Sequence, residues 1–248
     1  MVSLIPSITE ILFAIGAGDR MVGCTIYCTE PPEGVARLTR VGGEKNPKLE
    51  LIRDLGTDLV IANVEENVRE HVETLRSWGI AVHVTYPRTV VEGIALVAEL
   101  GEVTGAGAPA RELHATLRAR YDEARAARAG RPSRRVFCPI WRKPYMTINH
   151  DTYVHDMLAL VGGVNVFGEE PLRYPAVTLE QVAASGAEVI LLPDEPYRFR
   201  RAHQEDFAPY PDLPAVRDGR IHLVDGKLLS WYGPRIADAL RVLPPLFA

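Results

Sequence analysis

The hexapeptide Ser-Trp-Tyr-Gly-Pro-Arg at 230–235 sets two large aromatic rings, Trp231 and Tyr232, a few residues before a guanidinium, Arg235. Such rings present broad, rigid, apolar faces with a polar handle, which suits them to pack on a flat ligand. Pro234 fits the first turn of a helix, but Arg235 near that start has the wrong charge for the helix dipole. It is therefore expected to meet a phosphate, a carboxylate or another polar edge of a ligand. Other reactive residue types are present without a chemical pattern. His71, His83, His114, His150, His155, His203 and His222 contain no spaced pair typical of a zinc helix, although His150 and His155 of "NHDTYVHD" could reach a cleft. Cys24, Cys28 and Cys138 are too few to staple a chain of this length, and no second Cys/His pair with zinc spacing follows, so buried thiols are expected. There is no GxSxG and no P-loop, and "GAGDRMVG" follows a helix instead of opening one. Carboxylates are plentiful, yet none is marked by its neighbours as catalytic. The expectation is binding, with no catalytic residue, no protein-held metal and no cofactor.

The totals agree with a globular chain. It has 248 residues, 47% hydrophobic and 24% charged, enough for two lobes each with its own core. A net charge of −4 and the absence of a long Lys/Arg cluster argue against a nucleic-acid partner. No run of 18 apolar residues reads as a membrane span. "MVSLIPS" carries neither a basic nor an apolar leader region, so the expected compartment is the cytosol, or else a chain given without its leader.

The elements that would position the aromatics alternate along the chain. "VSLIP", "MVGCT", "DLVIA", "AVHVTY", "RVFCPI", "YMTIN", "EVILLP" and "IHLV" read as short buried strands between helical patterns, which predicts an α/β fold with mainly parallel sheets and flanking helices. Ser7 with Glu10 predicts a capping box for the first helix, stopped by Gly16 and Gly18. Pro109 is expected to open a long helix to about Ala129, with an apolar stripe of Leu113, Leu117, Tyr121 and Ala124. An internal echo marks two related lobes: "LELIRDLGTDLVIA" (49–62) aligns without gaps on "LEQVAASGAEVILL" (179–192), and "EILFAIGAGDRMVGC" on "HDMLALVGGVNVFGE". The expected partition is an N-terminal α/β lobe at 1–105, a connecting helix at 106–130 and a C-terminal α/β lobe at 131–248.

Parallel sheets bind ligands beyond the carboxyl ends of their strands. The candidates on those rims are Tyr27, Asn63, Tyr86 and Arg88 in the first lobe, and Trp141, Arg142, Tyr145, Phe167 and Tyr174 in the second, joined by Trp231, Tyr232 and Arg235. This density of Trp and Tyr suits a platform for a large ligand in a cleft between lobes.

The order of "SLIPSITEILFAIGAGDRMVG", "RVGGEKNPKLELIRDLGTDLVIA", "LRSWGIAVHV", the central helix, "GGVNVF", "VTLEQVAASGAEVILL" and "SWYGPR" resembles the periplasmic binding proteins that serve ATP-driven uptake of iron siderophores, haem and cobalamin. The "SWYGPR" region and the Phe after "GGVN" look most like the cobalamin-binding branch. The resemblance implies the class III arrangement: two α/β lobes joined by one long helix, a shallow cleft and small closure. It implies capture of cobalamin or a related metal chelate, with a ferric siderophore or haem as alternatives, by a monomer. By position, Tyr27, Phe167 and Trp231 would pack on the corrin and its lower base, with Arg235 beside them. Asn63 departs from the pattern, which has a Trp there. The family also docks on an ABC transporter permease through an acidic residue on each lobe; Glu65, Glu66 or Glu70 and Asp194 or Glu195 are the candidates here. Family resemblance implies an extracytoplasmic location. The rival of another class is a cytosolic chelatase-like enzyme acting on a tetrapyrrole.

Overall fold

Runs of Val, Ile and Leu too short to hide in one helix, with covering helices between them, can bury both faces only as parallel strands. The computed structural model describes residues 1–248 and shows this arrangement twice. The chain divides into two compact units. Unit 1 comprises Met1–Pro87, Glu92–Leu117 and Tyr232–Pro234, and unit 2 comprises Arg88–Val91, Arg118–Trp231 and Arg235–Ala248.

Unit 1 is built on strands β1 (Val2–Ser3), β2 (Gly23–Cys24), β3 (Thr39–Arg40), β4 (Leu59–Asn63) and β5 (Ala81–Thr85), all parallel, in the order β3-β2-β1-β4-β5. Helices α1 (Pro6–Ala14), α2 (Pro32–Val35), α3 (Leu49–Asp54) and α4 (Arg69–Ser77) lie between the strands, and α5 (Val90–Thr104) follows the last of them. The core joins Val2, Leu4, Val41, Ile52, Val60, Ala62, Val72, Leu75 and Ile80. Because every strand runs the same way, the loops after β1 to β5 all emerge at one edge.

The long helix α6 (Gly107–Arg128) gives its first half to unit 1 and its second half to unit 2. Unit 2 then adds β6 (Arg134–Phe137), β7 (Tyr145–Met146), α7 (Tyr153–Val161), β8 (Gly163–Asn165), β9 (Ala176–Val177), α8 (Leu179–Ala184), β10 (Val189–Pro193), α9 (Pro214–Arg217), β11 (Ile221–Val224), α10 (Lys227–Ser230) and α11 (Arg235–Val242). Strands β11-β10-β6-β8 form a parallel sheet, while β7 and β9 pair antiparallel as a separate ribbon. The core gathers Phe137, Tyr145, Phe167, Val182, Ile190, Leu192, Phe199 and Phe207. Phe137 is its hub, with ring centroids of Phe167 and Phe207 at 5.6 and 6.3 Å, both edge to face.

Helix starts differ from the sequence reading in ways that proline chemistry explains. Ser7 caps nothing: α1 begins at Pro6 with Ile5 as the cap residue, Ser7 lies buried in the first turn, and no side chain caps the helix. Proline's fixed φ and missing N–H suit a first helical position, so no side-chain acceptor is required there. Helix α6 opens at Gly107, two residues before Pro109, which sits in the first turn where its missing donor costs nothing. Pro234 likewise precedes Arg235, the first residue of α11. A true capping box occurs at α8, where Thr178 and Gln181 exchange hydrogen bonds of 3.2 and 2.8 Å. The "YMTIN" strand is antiparallel, because β7 returns along β9 with Tyr145 opposite Val177.

Candidate functional site

Tyr27 follows β2 and is 56% exposed, and Tyr86 follows β5 and is 40% exposed. In unit 2, Trp141 follows β6 at 46% exposure and Tyr174 precedes β9 at 37%. These four are the large aromatic side chains that the structure leaves exposed. Three of them lie just beyond the carboxyl ends of parallel strands, where such sheets present ligand-binding loops. Exposed apolar side chains that the sequence reading passed over stand at the same loops: Ile26 beside Tyr27, Val64 directly after β4, and Leu172 near Tyr174. Alternation carried no signal for Val64, because consecutive residues of β4 are buried on both faces and Val64 reads as a continuation of that strand.

The other candidates occupy different environments. Asn63 is 2% exposed, and its amide is spent on the β4–α4 turn. Its Oδ1 accepts the Glu65 N–H at 2.8 Å, and its Nδ2 donates to Thr85 Oγ1 at 3.2 Å. Phe167 and Tyr145 are core members in unit 2. Burial raises the Tyr145 phenol above its usual range, and its hydroxyl donates to Asp206 Oδ2 at 2.6 Å. Arg142 grips the same carboxylate through two bonds, 2.7 and 2.9 Å long, so Asp206 is held below the ordinary range for Asp. Nothing near Arg142 in sequence pointed to Asp206. Arg88 pairs with Asp151 Oδ1 at 3.0 Å, and Arg173 with Oδ2 of the same carboxylate at 2.8 Å, so Asp151 is the anchor of a two-arginine cluster beside Tyr174.

The aromatic pair at 231–232 is buried, at 6 and 7% exposure, and the chain changes unit between them. Trp231 lies in unit 2, under two cations: Lys227 Nζ is 5.1 Å and Arg235 Cζ 5.9 Å from its ring. The Trp231 indole also donates a hydrogen bond to Glu195, whose carboxyl is pushed up to about 7, chiefly by burial, with Asp194 and Asp225 adding to the rise. Ser230 Oγ reaches Glu195 Oε1 at 3.4 Å. Gly226 leaves no room on the other side, where a Cβ would stand 2.5 Å from Glu195 Cγ. Tyr232 lies in unit 1 with Gly233, whose φ of +72° turns the chain against Ile11.

Among the acidic candidates, Glu66 before α4 and Glu70 in its first turn are exposed, and Glu65 is half-buried. Asp194 is exposed and accepts the Gly226 N–H at 2.8 Å. His150 and His155 lie with ring centroids 6.5 Å apart, His150 Nδ1 resting 2.8 Å from the Gly168 carbonyl, and burial lowers the His155 pKa. No group of three or more His, Cys, Asp and Glu side chains is placed to hold a metal ion. No helix is long and apolar enough to cross a membrane. Each unit thus leaves aromatic side chains exposed on its loops, Tyr27 and Tyr86 in unit 1 and Trp141 and Tyr174 in unit 2.

The sequence and the fold were compared with known proteins. A vitamin B12-binding protein of Vibrio cholerae is 27% identical over 241 residues, covering 97% of this chain and 86% of the relative. One from Salmonella typhimurium is 30% identical over 192 residues, covering 77% of this chain and 71% of the relative. The crystal structure of the periplasmic vitamin B12 binding protein of Vibrio cholerae superposes with a TM-score of 0.86 at 26% identity, covering 99% of this chain and 94% of that one. The periplasmic haem-binding protein from Roseiflexus sp. RS-1 in apo form gives 0.84 at 26%, with 99% and 96% covered. The family model described as periplasmic binding protein matches residues 1–228. With nearly its whole length matched in sequence and in fold, this chain belongs to the periplasmic binding protein family.

Proposed function

We propose that the chain is a substrate-binding protein that captures cobalamin or a related metal chelate and delivers it for ATP-driven uptake outside the cytoplasm. The observation that carries this reading is the exposure of Tyr27, Tyr86 and Trp141 on loops after parallel strands, with Tyr174 exposed just before β9. A soluble chain leaves large aromatics in water at such loops when a ligand covers them. The names of its relatives support the ligand class, since vitamin B12-binding and haem-binding proteins share its fold across nearly the full chain. Haem is the second reading, supported by the equally extensive likeness to the haem-binding structure. Trp231, covered by Lys227 and Arg235, then acts by fixing the loop between α10 and α11.

For docking on a permease, Glu70 in unit 1 and Asp194 in unit 2 are the better anions, because each is exposed, whereas desolvation raises the pKa of Glu66. Glu195 carries a proton for much of the time near neutrality and is a weaker choice.

The test is titration of the full chain with cyanocobalamin, haemin and a ferric siderophore, followed by calorimetry and absorbance. The expected result is one ligand per chain, with Kd between about 1 μM and 1 nM, or roughly −8 to −12 kcal/mol. Tyr27→Ala and Trp141→Ala should each weaken binding at least ~10-fold. Absence of binding for all three ligands, or affinity indifferent to both substitutions, would overturn the reading. Metal added with a metal-free tetrapyrrole should give no more than one equivalent of product, whereas repeated turnover would establish a chelatase-like enzyme.

A further inference from the structure

The three cysteines are buried alike but held differently. Around Cys138, burial is the sole influence, and it pushes the thiol up to about 12, as expected of an inert core thiol. Cys24 and Cys28, at 0 and 1% exposure, flank the loop Thr25–Ile26–Tyr27, which turns back on itself as the Cys28 N–H donates to the Thr25 carbonyl at 3.3 Å. Two hydroxyls stand 3.2 Å from the Cys28 sulfur: Thr25 Oγ1, and Thr9 Oγ1, which donates its own proton to the Ile5 carbonyl at 3.0 Å. On the other side, Arg40 Nη1 donates to Cys24 Sγ at 3.1 Å and to the carbonyls of Thr25 and Cys28 at 2.8 Å each. The guanidinium therefore ties both ends of the loop together and aims its charge at the Cys24 sulfur. The two thiols also hydrogen-bond to each other, which lowers Cys28 to about 6 and drives Cys24 upward. The Thr25 hydroxyl and the neighbouring thiol, both directed at the Cys28 sulfur, stabilise a thiolate there. A cation 3.1 Å from the neighbouring sulfur opposes occupation of the pair by a metal ion.

We propose that Cys24 and Cys28 form a redox pair that closes to an intramolecular disulfide by exchange with a disulfide oxidant, Cys28 attacking and Cys24 resolving. The Cys28 thiolate attacks one sulfur of the oxidant, forming a mixed disulfide and releasing the first thiolate. Cys24 gives its proton to that thiolate or to solvent, attacks the Cys28 sulfur, and releases the second. Two cysteine thiols are oxidised by two electrons, and one oxidant disulfide is reduced to two thiols. The loop tip offers the way in, since Ile26 and Tyr27 are both more than half exposed while the sulfurs below them are covered. Closure would covalently fix the loop that presents Tyr27.

The experiment uses the full chain with oxidised glutathione as the probe. After incubation, the protein is denatured, alkylated and weighed, and the peptide carrying residues 24–28 is sequenced by fragmentation. The expected result is loss of two alkylatable thiols, a mass lower by two hydrogens in that peptide, and Cys138 still free. Cys138→Ser should behave as wild type, and Cys24→Ser should stop at glutathione bound to Cys28. Cys28→Ser should react at least ~10-fold more slowly than Cys24→Ser at pH 7, because only the thiolate attacks. The wild-type mass result decides the matter even where a serine variant folds poorly. Retention of all three thiols, a bridge involving Cys138, or adducts formed equally fast at Cys24 and Cys28 would overturn the proposal.

Discussion

Replacing Glu195 by glutamine should remove a penalty that the wild-type fold carries at neutral and alkaline pH. The carboxyl is pushed from 4.5 to about 7 in the folded chain, mainly because burial beside Trp231 disfavours its charged form. Between these values the folded state holds a proton that the unfolded state has released. Stability is therefore greatest below about pH 4.5, falls as pH rises towards 7, and stays at the lower level above it. A displacement from 4.5 to about 7 corresponds to about 3 kcal/mol, and allowance for partial exposure reduces this to roughly 2 kcal/mol. Glutamine keeps an oxygen for the Trp231 indole and the Ser230 hydroxyl, and gives up only the attraction to Lys227. In thermal melts at pH 8, Glu195→Gln should unfold about 4–8 °C higher than wild type, and the two should converge towards pH 4.5. A variant that melts lower at pH 8, or one that keeps the wild-type slope between pH 5 and 7, would refute the assignment of burial as the dominant cause.

Asp206→Ala leaves Arg142 and the Tyr145 hydroxyl without their shared acceptor in a half-buried site, and should cost about 3 kcal/mol in denaturant titrations. Because the Asp206 pKa is depressed, the contribution is present above the ordinary value of 3.8 and lost as pH falls through the folded value, so the wild-type advantage should shrink below about pH 3.8. Gly233→Ala puts a Cβ 2.3 Å from Ile11 Cγ1 at a φ of +72°, and should destabilise by about 2 kcal/mol, read as a lower melting midpoint. Phe137→Ala empties the hub of the unit 2 aromatic core and should cost about 4 kcal/mol by chemical denaturation.

The architecture was readable because it is local and repeated. The pairing of "LELIRDLGTDLVIA" with "LEQVAASGAEVILL" appears as α3 feeding β4 and α8 feeding β10, each separated by a short turn. What the sequence could not show is which way a side chain faces when its partner is distant. Phe167 follows a double glycine and a strand, as a ligand-facing ring would, yet its ring completes an edge-to-face contact with Phe137, thirty residues earlier. Arg142 reads as a free cation until the chain brings Asp206 to it from 64 positions away. Ser7 and Glu10 had the spacing of a cap, but the adjacent Pro6 had already set the backbone. Tyr27, Tyr86, Trp141 and Tyr174 were selected by position after or beside strands, and the structure leaves all four in solvent.

The brief return of residues 232–234 to unit 1, after more than a hundred residues spent elsewhere, bears on how the molecule is made. A fragment cut within the central helix would lack the segment that lies against Ile11, so the N-terminal half should be an incomplete folding piece when expressed alone. During synthesis, that half must wait for residues 232–234 to leave the ribosome before the contact with Ile11 can form. The first unit is thus completed by a segment from far along the chain, and dividing the protein into two autonomous modules should fail for a reason of connectivity.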